Sequence, residues 1–218
     1  MTITKFAKLI SVAAMVALTF TSVEAQVGGQ NNSRFGVKGG VNVSNMFTED
    51  VNSKNPLVGF NGGFFLRVAL TRMISFQPEL LFTMKGSELA YNNSFVSGTA
   101  RFSLNYFEVP LLAVVNITKN VNLQGGIYLA SLTTAKVKNI SNINLFNFEN
   151  ELKKDNFNSL DYGLVVGLGT DFDKLSFGLR YEFGLQKVGK ERTFPTRNYT
   201  FADGRNSTLQ LYIGISIL

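Results

Sequence analysis

From residue 34 to the end, the chain alternates apolar and polar residues with a period of two, and no stretch sustains the 3.6-residue period of an amphipathic helix. Eight alternating runs can be delimited: Arg34–Ser44, Leu57–Leu70, Ile74–Ser87, Arg101–Asn116, Val121–Thr134, Leu160–Phe172, Leu175–Val188 and Ser207–Leu218. Each is long enough to cross a bilayer, since a tilted strand needs only about 9–11 residues. In the second run Val58, Phe60, Phe64, Leu66, Val68 and Leu70 share one parity. The third gives Ile74, Phe76, Leu80, Phe82 and Met84, the seventh Leu175, Phe177, Leu179, Tyr181, Phe183 and Leu185, and the eighth Leu209, Leu211, Ile213, Ile215 and Ile217. Alternate residues of a strand point to opposite faces, so these runs predict a continuous apolar band on one face of a sheet.

The links between runs alternate in length. Short ones stand at Thr71-Arg72-Met73, Thr118-Lys119-Asn120 and Asp173-Lys174; the others, Asn45–Pro56, Glu88–Ala100, Ala135–Ser159 and Gly189–Asn206, are long and polar. An outer-membrane barrel has short turns at its periplasmic rim and long loops outside, and eight strands with three short and four long links fit that scheme. The opposite parity carries Gly59, Asn61, Gly63 and Arg67, then Gln77, Glu79 and Lys85, then Asp161, Gly163, Gly167 and Gly169, then Gly178, Arg180, Glu182 and Gly184. A soluble barrel would turn its apolar parity inward. Glycines beside long charged residues suit the crowded interior of an eight-stranded barrel instead. The expected class is therefore all-β: an eight-stranded antiparallel up-and-down transmembrane β-barrel.

Composition and the N-terminus extend this picture. Charged residues make up only 17% of the chain, against about 25% in soluble domains, while 20 phenylalanines demand an apolar environment. Lys5 and Lys8, the apolar run Leu9–Phe20 and the small-residue end Val23-Glu24-Ala25 read as a signal peptide, with a run too short for a spanning helix. The expected organisation is a signal peptide over 1–25, a short periplasmic tail over 26–33 and the barrel over 34–218, with export to the cell outer membrane. Without Lys5, Lys8 and Glu24 the chain keeps 19 basic and 14 acidic residues, a net +5. That excess is mild, and with no basic stripe it does not indicate nucleic acid.

The segments Phe35-Gly-Val-Lys-Gly-Gly-Val-Asn-Val-Ser-Asn45, Phe76-Gln-Pro-Glu-Leu-Leu-Phe-Thr-Met-Lys-Gly86, Asn105-Tyr-Phe-Glu-Val-Pro-Leu-Leu112, Asp161-Tyr-Gly-Leu-Val-Val-Gly-Leu-Gly169 and Leu179-Arg-Tyr-Glu-Phe-Gly-Leu185 occur in one order along the chain. In these segments the chain resembles the PorT-like outer-membrane β-barrels of Bacteroidota. The resemblance implies a location and a fold; the family's namesake is an accessory of type IX secretion and gliding, and most of its look-alikes have no assigned role.

Candidate chemistry is sparse. The chain has no histidine, which excludes a Ser-His-Asp arrangement, and no cysteine, which excludes disulfides, thiolate metal sites and lipid attachment to an N-terminal cysteine. No residue cluster indicates a catalytic centre, a metal or a cofactor. Arg67, Glu79, Lys85, Glu108, Arg180 and Glu182 are expected inside the barrel, as a mixed-sign network that plugs it or as the lining of a narrow solute path. Replacing Glu79 or Glu108 is expected to strand a buried arginine. Pro78 and Pro110 stand inside strands and predict local bulges. Lys190, Arg192, Arg197 and Arg205 make the last long loop basic, open to lipid phosphates or an acidic partner. The expected partners are outer-membrane lipid and an envelope protein met through the external loops; the residues leave the oligomeric state open.

Overall fold

The computed structural model describes residues 33–47, 54–92, 97–141, 148–151, 157–189, 191–194, 197–200 and 204–217. The segments read above as a signal peptide (1–25) and most of the tail (26–32) lie outside the described residues. Eight long strands form the barrel: β1 (Arg34–Phe47), β2 (Lys54–Ala69), β3 (Ile74–Asn92), β4 (Ser97–Asn116), β5 (Val121–Ser141), β7 (Leu160–Phe172), β8 (Leu175–Lys187) and β11 (Arg205–Ser216). Three short strands, β6 (Phe148–Glu151), β9 (Glu191–Phe194) and β10 (Arg197–Thr200), belong to the long links. The sheet runs β4-β3-β2-β1-β11-β8-β7-β5, and the pairing of β4 with β5 closes it. Every neighbouring pair is antiparallel.

Closure converts the period-two pattern into an inside and an outside. Val58, Phe60, Phe64, Leu80, Leu164, Val166, Leu211 and Ile213 are exposed on the outer wall, and alternate residues such as Asn61, Glu79, Val165 and Tyr212 are buried within. Outside, Phe35 stacks on Phe64 with ring centroids 6.2 Å apart, and Phe60, Phe82 and Phe107 continue the aromatic contacts at 6.0 and 5.7 Å. Such cross-strand pairs tie neighbouring strands together on the outer, apolar face.

The three short links are tight turns at one rim. In two of them the threonine hydroxyl accepts backbone N–H bonds: Thr71 from Met73 (3.2 Å) and Ile74 (3.0 Å), Thr118 from Asn120 (3.3 Å) and Val121 (3.0 Å). The third turns through Asp173, whose φ of 52° is the one left-handed non-glycine conformation among the described residues.

At the other rim the strands run further than their apolar pattern. β3 ends at Asn92 rather than Ser87, β4 begins at Ser97 rather than Arg101, and β5 ends at Ser141 rather than Thr134. Beyond the apolar belt a strand needs only a backbone partner, and Asn92↔Ser97 and Gly98↔Ser141 supply it without apolar alternation. Glu88 and Arg101, paired at 3.0 Å, are a charged cross-strand contact in this extension.

Two expectations about backbone geometry are corrected. No bulge occurs at Pro78 or Pro110: the β3–β4 register holds from Pro78↔Leu111 to Leu81↔Glu108, and β2–β3 holds from Phe65↔Glu79 to Val68↔Phe76. A proline withdraws one ladder donor, but a bulge also needs an extra residue, and the chain has none at either place. The register shifts fall instead between Pro56 and Asn61, between Asn105 and Tyr106, and between Arg205 and Ser207.

Candidate functional site

The lumen is the best-defined polar feature of the described residues, and β2, β3, β7 and β8 supply most of it. Nearest the short turns a closed circuit of hydrogen bonds runs round the inside wall. Arg67 donates from Nε to Gln77 Oε1 (2.5 Å), and Gln77 Nε2 donates to Glu79 Oε1 (2.5 Å). The Arg180 guanidinium grips both Glu79 oxygens (2.8 Å each) and donates from Nε to Gln124 Oε1 (2.6 Å). Gln124 donates to Asn122 (2.8 Å), Asn122 to Asp171 (2.8 Å), and Arg67 returns to Asp171 at 2.7 Å. Lys38 adds a contact to Glu79 at 3.0 Å. Its ammonium and the Arg180 guanidinium lie 3.7 and 4.5 Å from the centre of the Tyr212 ring. The fork of Arg180 on a carboxylate is the strongest single geometry here, because two parallel charge-assisted bonds fix both groups.

Further from the short turns a second tier centres on Lys85. Its ammonium lies 2.5 Å from Glu108 and 2.7 Å from Glu182, and 4.1 Å from the Tyr128 ring centre. Tyr128 donates to Asp161 at 3.1 Å, and Asn206 donates to the same oxygen at 2.8 Å. The tiers differ in balance among the described residues. The first holds Lys38, Arg67 and Arg180 against Glu79 and Asp171, and the second holds Lys85 against Glu108, Asp161 and Glu182. The second is also less saturated: Thr208 Oγ1, Asn206 Oδ1 and Asp161 Oδ1 are buried with no hydrogen-bond partner among the described residues. Above it an apolar cluster including Met46, Leu104, Leu132, Ala135, Phe157 and Val188 fills the outer mouth.

Topology makes these pairs into struts. In the closed order of eight strands, β2 stands four places from β7, and β3 four places from β8. Arg67–Asp171, Glu79–Arg180 and Lys85–Glu182 therefore each join strands on opposite sides of the barrel. Four cations and five carboxylates cannot be buried singly without a large desolvation cost; crossing the lumen in pairs offsets it.

The structure places all six residues read from the sequence as interior charges in these tiers. Glu79 meets Arg180, but Glu108 meets Lys85 rather than an arginine. Lys38, Asp161 and Asp171 complete the network and were not among the six. Lys38 was findable from parity, since exposed Val37, Val41 and Val43 put residues 38, 42 and 44 inside. Of the basic loop, Lys190 lies outside the described residues; Arg192 and Arg197 fall in the β9–β10 hairpin, and Arg205 is exposed at the start of β11, opposite Lys187. Among the described residues no group of His, Cys, Asp or Glu has the arrangement of a metal site.

Comparison with known proteins adds a family and a fold. A family model described as outer membrane protein beta-barrel domain matches residues 24–189. No curated protein sequence matches the chain. Among solved structures it is similar to Neisserial surface protein A, at 14% identity, with 85% of this chain and 99% of that one covered and a TM-score of 0.51. It is also similar to Ail, the attachment invasion locus protein of Yersinia pestis, solved in complex with the heparin analogue sucrose octasulfate, at 15% identity over 85% and 99% of the two chains, TM-score 0.47. At that identity the likeness to Neisserial surface protein A is one of fold.

Proposed function

The chain belongs to the outer membrane protein beta-barrel domain family, and from that premise we propose that it is a non-conducting, non-catalytic element of the outer membrane that docks an envelope protein through its external hairpins. The observation that carries this reading is the lumen crossed by three ion pairs between opposite strands. A solute would have to break buried, paired charges to pass, and breaking one such pair costs about 3–5 kcal/mol. The working surface then lies elsewhere. The extended β3–β4 hairpin, the outer part of β5 with β6, and the β9–β10 hairpin provide backbone-ordered surface on the side of the long links. The absence of histidine and cysteine supports the non-catalytic part of the reading.

Delivery by the N-terminal signal peptide, and a role beside type IX secretion by resemblance to the PorT-like barrels, belong to the same proposal. Conductance across a planar bilayer tests it, with heat-modifiable folding checked on the same sample. A silent, folded barrel is the expected outcome, and cross-linking on cells then captures an envelope protein at the hairpins. Steady, ion-selective current refutes the plugged lumen.

One observation favours a second reading, a solute-binding lumen. Thr208, Asn206 and Asp161 offer unused hydrogen-bonding groups in a tier with three carboxylates and one ammonium, which suits a small polar cation entering past Phe157. Conductance that appears only when Phe157 is replaced by Ala would favour this reading over the first.

A further inference from the structure

The short-turn rim carries a repeated chemistry that the lumen does not use. Two of its turns have the same plan: an exposed aliphatic residue, a threonine whose hydroxyl fixes the turn, then a base, as Leu70-Thr71-Arg72 and Ile117-Thr118-Lys119. Their backbone bonds also match, with Leu70 and Thr71 donating to the Ile74 carbonyl at 2.9 Å, and Ile117 and Thr118 donating to the Val121 carbonyl at 2.9 and 3.2 Å. The third turn presents Lys174. The turns join β2 to β3, β4 to β5 and β7 to β8, so the three bases stand two strand places apart along one half of the circumference, the half away from β1 and β11. Arg72, Lys119 and Lys174 are all exposed, and none of the three side chains has a hydrogen-bond or ion-pair partner among the described residues. Asp173 is the single acid in these turns.

The apolar belt reaches into the same turns. Leu70, Met73 and Ile117 are 56%, 60% and 56% exposed, and Val121, Phe172, Leu175 and Ile217 follow at once on the wall. A turn that is itself partly apolar sits at the edge of the hydrocarbon rather than free in water. Long basic side chains in that position keep their stems in the apolar layer and their charges at the level of the lipid phosphates. We propose that Arg72, Lys119 and Lys174 form an arc that recruits anionic phospholipid headgroups of the adjoining leaflet. The proposal rests on the reading of the outer wall as lipid-facing. It commits to lipid phosphate because the bases lie at the belt's edge and stand two strand places apart along it, a geometry that serves boundary lipids better than one soluble ligand.

The test is refolding into phosphatidylcholine vesicles that contain either spin-labelled phosphatidylglycerol or spin-labelled phosphatidylcholine, followed by the fraction of each label held motionally restricted at the protein. A base near an anionic surface favours the anionic lipid about five-fold at its own position. Averaged over the whole boundary ring the expected preference is on the order of two-fold, and it shrinks at high salt. The variant Arg72→Gln/Lys119→Gln/Lys174→Gln is expected to restrict both lipids equally, while Arg101→Gln, in the extension at the opposite rim, keeps the preference. Should the triple variant fail to fold, each single substitution is expected to lower the preference by a part. Equal restriction of the two lipids by the wild type, or a preference that survives these substitutions, overturns the proposal. A wild-type chain that yields no heat-modifiable barrel in vesicles refutes the lipid-facing wall instead, so the two failures are told apart.

Discussion

Glu79 is where the closed circuit has most to lose. Its carboxylate accepts from both arms of Arg180, from Lys38 and from Gln77, at 2.5–3.0 Å, and its side chain is fully buried. Replacing it with Ala leaves two cations, Lys38 and Arg180, beside one Tyr212 ring in a low-dielectric lumen with no anion between them. Removing one partner of a buried ion pair costs about 3–5 kcal/mol. In a domain of this size each kcal/mol moves the melting midpoint by about 2–4 °C, so the expected fall is roughly 6–20 °C. The assay is the temperature at which the folded, fast-migrating band is lost on electrophoresis after a fixed heating time, which reads kinetic stability directly. The companion variant Lys38→Met/Glu79→Leu/Arg180→Met removes all three charges and is expected to recover at least half of the loss, because an apolar replacement of a complete buried ion cluster is often neutral. A midpoint for Glu79→Ala within about 2 °C of wild type would refute the reasoning. A companion as unstable as the single variant would assign the cost to lost packing rather than to stranded charge.

Three further outcomes follow from the geometry. Val166→Arg, on an outer-wall side chain that is 59% exposed, is expected to cost about 2–4 kcal/mol in urea unfolding from vesicles. Gly178→Ala sets a Cβ 2.3 Å from the Tyr212 ring and is expected to lower the melting midpoint, whereas Gly125→Ala meets nothing within 4 Å and is expected to stabilise by about 0.5–1 kcal/mol in the same measurement. Thr71→Val and Thr118→Val each remove the acceptor of two turn N–H groups and are expected to cost about 1 kcal/mol apiece, additively, in vesicle unfolding.

The wall was legible in the sequence because one face of a barrel strand answers to a single solvent. Phe60, Phe64, Leu211 and Ile213 all meet lipid, so parity alone assigns them. The short turns were legible for a similar reason: a link of two or three residues leaves no alternative topology. The partners inside were not legible. Whether Glu108 meets an arginine or Lys85 depends on which strands end up facing each other and at what height, and that follows from the stagger of the closed sheet rather than from any local pattern. Lys38 was obscured by Gly36, Gly39 and Gly40, which dilute the alternation of β1, and Asp171 by its closeness to the Asp173-Lys174 turn. The outer strand ends were missed because β3 and β5 leave the apolar belt while their backbones stay paired.

The struts across the lumen also bear on how the chain folds. Arg67 and Asp171 are 104 residues apart in sequence, and Glu79 and Arg180 are 101 apart, so neither pair can form within a hairpin or any run of neighbouring hairpins short of most of the barrel. Until β1 meets β11, each growing sheet carries these charges with no counterpart opposite. A partly built sheet sinking into the hydrocarbon would take unpaired ions with it, at a cost of several kcal/mol for each. Closure removes that penalty all at once. Membrane entry and ring completion are thereby coupled into one slow, high-contact-order step, and the chain is held from committing to the bilayer before both halves are present.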